Sequence, residues 1–181
     1  MKKKTKKRII LLATQPNLSI EDKKTLLNLV YLSVKDKDVF LIVKKHPREK
    51  DYDIHKEIAK KVRIDNISFV EDPRSNIYEL LSITETLLCE TSTTVIEALI
   101  MGRQPIIIDP YKKGFIDLFG HHDSIISVST KEELDEQLKK KTRKDKDIKR
   151  RDDFIRDHCY MIDGNASKRI AALIDQHRKG R

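Results

Sequence analysis

Short runs of apolar, often β-branched residues recur along the chain, and segments with helical spacing of apolar positions follow them. The runs predict six buried strands, at Ile9–Ala13, Val39–Val43, Ile67–Val70, Thr86–Cys89, Pro105–Ile108 and Ile125–Val128. The helical segments are Ser19–Val34, Tyr52–Lys61, Asn76–Ser82, Ser92–Met101, Thr130–Lys139 and a C-terminal region, Ile148–His177, that is interrupted near Asp163 and Gly164. Fully apolar strands that alternate with helices are typical of a parallel sheet covered on both faces. The pattern therefore predicts α/β architecture: one Rossmann-like, doubly wound domain of about six strands.

The predicted domain covers residues 9–177, with short basic tails at residues 1–8 and 178–181. The chain has no internal repeat and no interior linker rich in Gly, Pro or Ser. Its longest apolar runs have about five residues, whereas a bilayer span needs about 20, so we expect no transmembrane helix.

The net charge of +9 comes from two local clusters. Lys2–Arg8 and Lys139–Arg151 together hold 15 basic and 2 acidic residues, and the remainder of the chain has a net charge of −4. A continuous basic face for nucleic acid is therefore not expected. The clusters are interpreted as solvated tails and helix faces, with contact to an anionic membrane surface as the alternative.

The two cysteines, Cys89 and Cys159, form no CxxC motif, and both are expected to be packing thiols in a reduced, cytoplasmic protein. The adjacent pair His121 and His122 lacks the spacing of a helical zinc site, so no metal site is predicted.

Ligands of doubly wound sheets bind at the carboxyl ends of the strands. This rule selects five loops of the chain, at residues 14–17, 44–48, 71–75, 90–94 and 109–114.

The hydroxyl-rich loop Glu90–Thr94 opens a helix directly after a strand, where free backbone N–H groups favour phosphate. Neither GxGxxG nor GxxxxGK[ST] occurs, so an NAD fingerprint and a P-loop are both excluded. The alternative is that Ser92 only caps the helix, or that Thr94 and Glu97 form a capping box.

The turn Lys44–Arg48 places two lysines, an arginine and the His46 imidazole after the second strand, where they can face one anion. Pro47 fixes the turn. Glu97, one turn into the later helix, is suited to accept hydrogen bonds from the two hydroxyls of a ribose. The alternatives are a solvated basic turn and an exposed helix acid.

Together these motifs resemble the C-terminal half of a GT-B glycosyltransferase. The resemblance is carried by Lys45-His46-Pro47, Thr91-Ser92-Thr93-Thr94-x-x-Glu97-Ala98-Leu99, Gly102-x-x-Pro105 and Asp163-Gly164-Asn165-Ala166-Ser167-x-Arg169-Ile170. It runs from about Arg8 to Ile174. The most similar kinds are capsule-type polysaccharide transferases, bacterial sialyltransferases and CDP-glycerol glycerophosphotransferases, and UDP-N-acetylglucosamine 2-epimerase is similar in fold.

The resemblance implies a domain that binds the nucleotide of a CMP-, CDP- or UDP-linked sugar or glycerol donor in surface polysaccharide or glycan synthesis, without a cofactor or bound metal. His46 is the candidate catalytic residue and would contact the donor phosphate, and Glu97 would hold the ribose. The candidate phosphate-binding residues, from the loops and the resemblance together, are Thr14, Lys45, His46, Arg48, Thr91, Ser92, Thr93 and Thr94.

The chain departs from such enzymes in one respect. A GT-B enzyme has a second, N-terminal half that binds the acceptor and usually supplies the catalytic base, and nothing in this chain is long enough to be that half. The expected partner is therefore such a half, in a parent chain or in another subunit, and whether this chain is an enzyme by itself stays open. The alternatives are an epimerase-like enzyme and a non-catalytic nucleotide- or membrane-binding module, located in the cytoplasm or peripherally at the inner membrane face.

Overall fold

The computed structural model describes residues 7–49, 52–72, 74–120, 122–140 and 145–179. Its strands are β1 (Arg8–Ala13), β2 (Val39–Lys44), β3 (Ile67–Val70), β4 (Thr86–Cys89), β5 (Gln104–Ile108) and β6 (Ile126–Val128). Its helices are α1 (Ile20–Val34), α2 (Tyr52–Val62), α3 (Ile77–Ile83), α4 (Thr94–Ile100), α5 (Lys131–Lys139), α6 (Asp145–Cys159) and α7 (Ala166–Lys179), with a short 3₁₀ helix at Phe115–Phe119.

The strands form one open sheet in the order β3–β2–β1–β4–β5–β6, and every neighbouring pair is parallel. This is the strand order of a doubly wound Rossmann-like domain. The predicted fold class is confirmed.

Alternate residues of each strand face opposite helix layers, because side chains along a strand point in turn to the two faces of the sheet. Ile10 and Leu12 of β1 pack in a core with α1, α2 and α5. Leu11 packs in the other core, which contains Leu87 of β4, residues of α3 and α4, and Phe154 of α6. The continuous apolar strands thus reflect burial on both faces.

The largest boundary difference is at the C-terminal helical region, where α6 begins at Asp145 and not at Ile148, and α4 begins at Thr94 and not at Ser92. The sequence pattern also missed the 3₁₀ helix. Arg8, which the sequence places in the basic tail, belongs to β1, and its guanidinium contacts the Glu85 carboxylate at 2.9 Å and the Leu138 carbonyl at 2.7 Å. The sheet therefore starts one residue before the predicted domain boundary.

The basic clusters fall partly outside the described residues, since residues 1–6 and 141–144 are not described. In the described part of the second cluster, Arg150 lies 3.6 Å from Asp123 and Arg151 lies 2.8 Å from Asp152. The exposed Arg150 side chain agrees with the interpretation as a solvated helix face.

The C-terminal helix α7 exposes apolar side chains, with Ile170, Leu173 and Ile174 each more than half exposed. Among the described helices, none is both long enough and apolar enough to cross a membrane. Cys89 is buried, Cys159 is partly buried, and both are free thiols, as expected.

Candidate functional site

The carboxyl ends of β1 and β4 border the crevice where the strand order reverses. From β1 the chain continues to β2, which pairs with one side of β1, whereas β4 pairs with the other side. Ala13 is in register with both Lys44 and Cys89, so the next residue of each strand, including Thr14 and Glu90, continues from the same level of the sheet. Ligands of open α/β sheets bind at such a point.

The turn after β2 forms one wall of this crevice. The backbone N–H of Glu49 donates to the His46 carbonyl over 2.9 Å, which closes the turn. The backbone N–H of Arg48 donates to Nδ1 of His46 over 3.1 Å, so the proton of a neutral His46 ring lies on Nε2. Burial lowers the pKa of His46, and the positive charge of Arg48 lowers it further, against the opposing charge of Glu49. The ring is therefore a neutral Nε2–H donor at neutral pH.

A buried cluster of side chains around Glu49 supports this turn. The Glu49 carboxylate accepts from Lys23 Nζ at 2.8 Å, from His55 Nε2 at 2.9 Å and from the Thr14 hydroxyl. Burial opposes ionisation of Glu49, but these hydrogen bonds outweigh it and hold the pKa at about 2. Glu49 is therefore ionised at every physiological pH, and it ties the turn to α1, to α2 and to the loop after β1.

Thr14, a predicted phosphate ligand, is only 4% exposed. Its hydroxyl donates to Glu49 and accepts from the backbone N–H of His46 at 3.4 Å. These bonds give Thr14 a place in the support of the His46 turn, and direct contact with phosphate stays a prediction.

Glu90 begins the second wall, at the end of β4. It is 2% exposed, and the backbone N–H of Gln15 donates to its carboxyl group. Burial raises the pKa of Glu90 to about 8, and the negative charge of Glu49 adds to the rise. Glu90 is thus mainly protonated at neutral pH, whereas Glu49 beside it is ionised.

The loop after Glu90 presents its hydroxyls through a local turn. The Ser92 hydroxyl donates to Thr94 Oγ1 at 2.9 Å and accepts from the Thr94 backbone N–H at 3.2 Å. Thr93, at the N-cap position of α4, has a helical backbone and makes no side-chain cap bond. The capping interpretation of Ser92 therefore holds for one N–H of the first turn, and phosphate binding by Thr91, Ser92, Thr93 and Thr94 stays a prediction.

Glu97 is partly buried on α4, and the Tyr78 hydroxyl of α3 donates to its carboxylate at 3.3 Å. This contact replaces the suggested capping box with Thr94. The negative charge of Glu97 raises the pKa of Tyr78, so the phenol keeps its proton. The sequence reasoning missed Tyr78, which is the second residue of α3, directly after the Asn76 cap and Ile77.

The loop after β5 forms the far end of the crevice and packs against the start of α1. The buried Asp109 carboxylate accepts from the backbone N–H groups of Lys113 and Gly114, both at 2.9 Å. Gly114 has a φ of 71°, in the left-handed region that favours glycine. Lys113 then reaches Asp22 at 2.8 Å.

The remaining predicted residues lie on the same turn as His46. Lys45 is partly buried and Arg48 is exposed. Burial lowers the pKa of the neighbouring Lys44, with the charge of Asp72 opposing the change. Within the described part of the chain, no group of three or more His, Cys, Asp or Glu side chains is placed to hold a metal ion.

The structure thus brings the predicted residues of β1, β2 and β4 to one edge of the sheet. His46 and Ser92 follow β2 and β4, the strands on either side of β1, and these two strands lie about 10 Å apart at the usual strand spacing. The sequence reasoning missed Glu49, Lys23 and His55, and of Glu90 it used only the position in the hydroxyl loop. His55 carried a usable signal, because it lies on the same face of α2 as Ala59 and Val62.

No family model matches the chain, and no curated protein matches it in sequence. Solved structures do match. S. aureus MnaA with UDP has a TM-score of 0.68 at 15% identity, over 96% of this chain and 47% of that one. The calicheamicin glycosyltransferase CalG4 has a TM-score of 0.61 at 11% identity, over 96% and 43%. The wall teichoic acid polymerase TagF with CDPG has a TM-score of 0.54 at 20% identity, over 96% and 43%.

UDP-N-acetylglucosamine 2-epimerases are among the further matches. The chain spans less than half of the length of each of these proteins. At such identities the likeness shows the fold. The chain therefore has the fold of the C-terminal half of the GT-B glycosyltransferases and of the similarly folded epimerases.

Proposed function

We propose that this chain is the donor nucleotide-binding domain of a transferase. The enzyme would move a sugar or glycerophosphate from a CMP-, CDP- or UDP-linked donor in surface polysaccharide or glycan synthesis. Similar folds have been solved with UDP and with CDPG, which supports a nucleotide-activated donor.

One observation carries the proposal: two loops suited to an anion flank β1 at the switch point. On one side, the bond from Arg48 N–H to Nδ1 leaves the His46 ring with its proton on Nε2, next to the basic side chains of the same turn. On the other side lie the hydroxyls of residues 91–94. A diphosphate lying across the end of β1 would receive hydrogen bonds from both walls.

In this proposal His46 binds the phosphate or diphosphate of the leaving nucleotide as a neutral donor, in line with its lowered pKa. Donors placed where charge develops in the transition state lower the barrier to transfer. Glu97 would accept from the ribose hydroxyls, and the Tyr78 hydroxyl at 3.3 Å would orient its carboxylate.

The acceptor and the catalytic base belong to a second half in this proposal, because the solved neighbours are about twice as long as this chain. The exposed apolar side chains of α7 offer a surface on which such a half can pack. The proposed location is the cytoplasm, with peripheral contact at the inner membrane face.

Nucleotide titration by calorimetry tests the proposal. We expect selective binding of CMP, CDP or UDP over adenine and guanine nucleotides. A charge-assisted hydrogen bond contributes on the order of 1.5–3 kcal/mol, so His46→Ala should weaken diphosphate binding by about one to two decades.

His177→Ala is the matched control, since His177 is exposed on α7. Unchanged binding by His46→Ala would remove His46 from the site. A folded chain that binds none of the nucleotides would refute the proposal and favour a non-catalytic, membrane-binding module. An epimerase-like enzyme would bind UDP-N-acetylglucosamine and convert it without an acceptor.

A further inference from the structure

Glu90 is a buried acid placed at the mouth of the proposed anion site. It follows the last residue of β4 and precedes the hydroxyl loop, on the strand next to β1. One carboxyl oxygen, Oε2, has no hydrogen-bond partner among the described residues, and the side chain is 2% exposed. Such a group needs an explanation, because buried carboxylates are normally paired.

The positive charge that acts on this acid already contacts another carboxylate. Lys23 Nζ lies 2.8 Å from Glu49 Oε1, and the side chains of both residues are at most 3% exposed. Among the described residues, Lys23 on α1 and Glu49 on the turn after β2 are the charged groups that act on Glu90. The adjacent Cys89 contributes no charge, because burial raises the pKa of its thiol.

Lys23 therefore pairs with Glu49 and acts on Glu90 through its charge. Glu49 accepts three hydrogen bonds, whereas Glu90 receives the Gln15 N–H and leaves Oε2 unpaired. An ionised Glu90 would be a buried, uncompensated charge, which is costly, so the geometry favours its neutral form. The raised pKa of about 8 agrees with this argument.

We propose that Glu90 serves the anion site as a neutral acid, and that its ionisation expels a bound diphosphate. With its proton in place, Glu90 adds no negative charge beside the phosphates, and it keeps the Gln15 loop against the end of β4. This inference rests on the proposed function, because it takes a nucleoside diphosphate as the ligand of the crevice.

The test is the pH dependence of UDP and CDP binding to the whole chain between pH 7 and pH 9. If the diphosphate binds only the protonated form, linkage through a pKa of about 8 weakens binding about tenfold over this interval. Phosphate ionisation, centred roughly at pH 6, is nearly complete at the start of the interval.

Glu90→Gln is the matched variant, because an amide has the shape of the protonated acid and cannot ionise. We expect it to bind UDP as tightly as the wild type at pH 7 and to lose much less affinity by pH 9. Any contribution from Lys44, whose pKa is lowered, affects both proteins and cancels in the comparison.

A wild-type affinity that is constant from pH 7 to 9, or an equal loss in Glu90→Gln, would overturn the inference. Absence of binding at pH 7 by the folded wild type would instead refute the proposed function. If the variant does not fold, ¹³C NMR of glutamate carboxyl groups in the wild type decides. One group should titrate near pH 8 and move to higher pH with UDP, and no such resonance would refute the inference.

Discussion

Replacing Glu90 with Gln should stabilise the fold increasingly as the pH rises. The folded state holds the Glu90 proton with a pKa of about 8, against an ordinary value of 4.5. Because the folded pKa is raised, stability is lost as the pH rises from 4.5 through 8, at up to about 1.4 kcal/mol per pH unit. Between pH 5 and pH 7 this amounts to roughly 2–3 kcal/mol in the wild type, and the Gln side chain removes it.

Denaturant unfolding followed by circular dichroism at pH 5, 7 and 9 measures this effect. The stability difference between Glu90→Gln and wild type should grow with pH while the m-values stay equal. Glu136→Gln is the matched control for a Glu-to-Gln change, since Glu136 is exposed on α5. A Glu90→Gln difference that is the same at all three pH values would show that the wild-type carboxyl is not held neutral, and the reasoning would fail.

Three further outcomes are expected. Ser92→Asp should fold, because the Asp side chain can accept a hydrogen bond from the Thr94 N–H as Ser does. It should bind nucleotide diphosphates far more weakly in calorimetry, because its charge repels phosphate. Normal binding would show that Ser92 serves only as a helix cap. Glu49→Gln should cost about 3 kcal/mol at pH 7, since it removes the carboxylate charge that the buried Lys23 ammonium contacts at 2.8 Å. Because the pKa of Glu49 is depressed to about 2, the wild type should lose this stability as the pH falls from 4.5 to 2. The Glu49→Gln variant has no such stability to lose. Identical acid unfolding curves of the two proteins would contradict an ionised, paired Glu49. Cosedimentation with vesicles tests the basic clusters. Binding should require anionic lipid and weaken with salt, with a binding free energy of roughly 1 kcal/mol for each basic residue at the surface. Equal binding to neutral vesicles would exclude the electrostatic mechanism.

The strands were predictable because each is a continuous apolar run between breaking residues. The run Thr86–Cys89 matches β4 at both ends, and Ile67–Val70 matches β3. The start of α4 was less predictable, because the Ser92 hydroxyl bonds the Thr94 N–H two residues on and holds Ser92 outside the helix.

The sequence also predicted which loops share an edge, since this follows from parallel topology alone. It could not predict the acids beneath that edge. Glu49 stands in a highly charged stretch, and its burial depends on Lys23 and His55, which come from other elements. The environment of Glu90 likewise depends on Gln15, far away along the chain. Partners brought together only by folding leave no local pattern.

The way the His46 turn is held makes the two walls of the crevice mechanically unequal. Glu49 ties that turn to both α1 and α2, so the turn cannot move without breaking a buried ion pair. On the opposite wall, the Ser92 hydroxyl bonds to Thr94 and the Ser92 carbonyl accepts from the Val95 N–H, both at the start of α4. The first wall is therefore the more rigid of the two. Adjustment to ligands of different size takes place in the second wall.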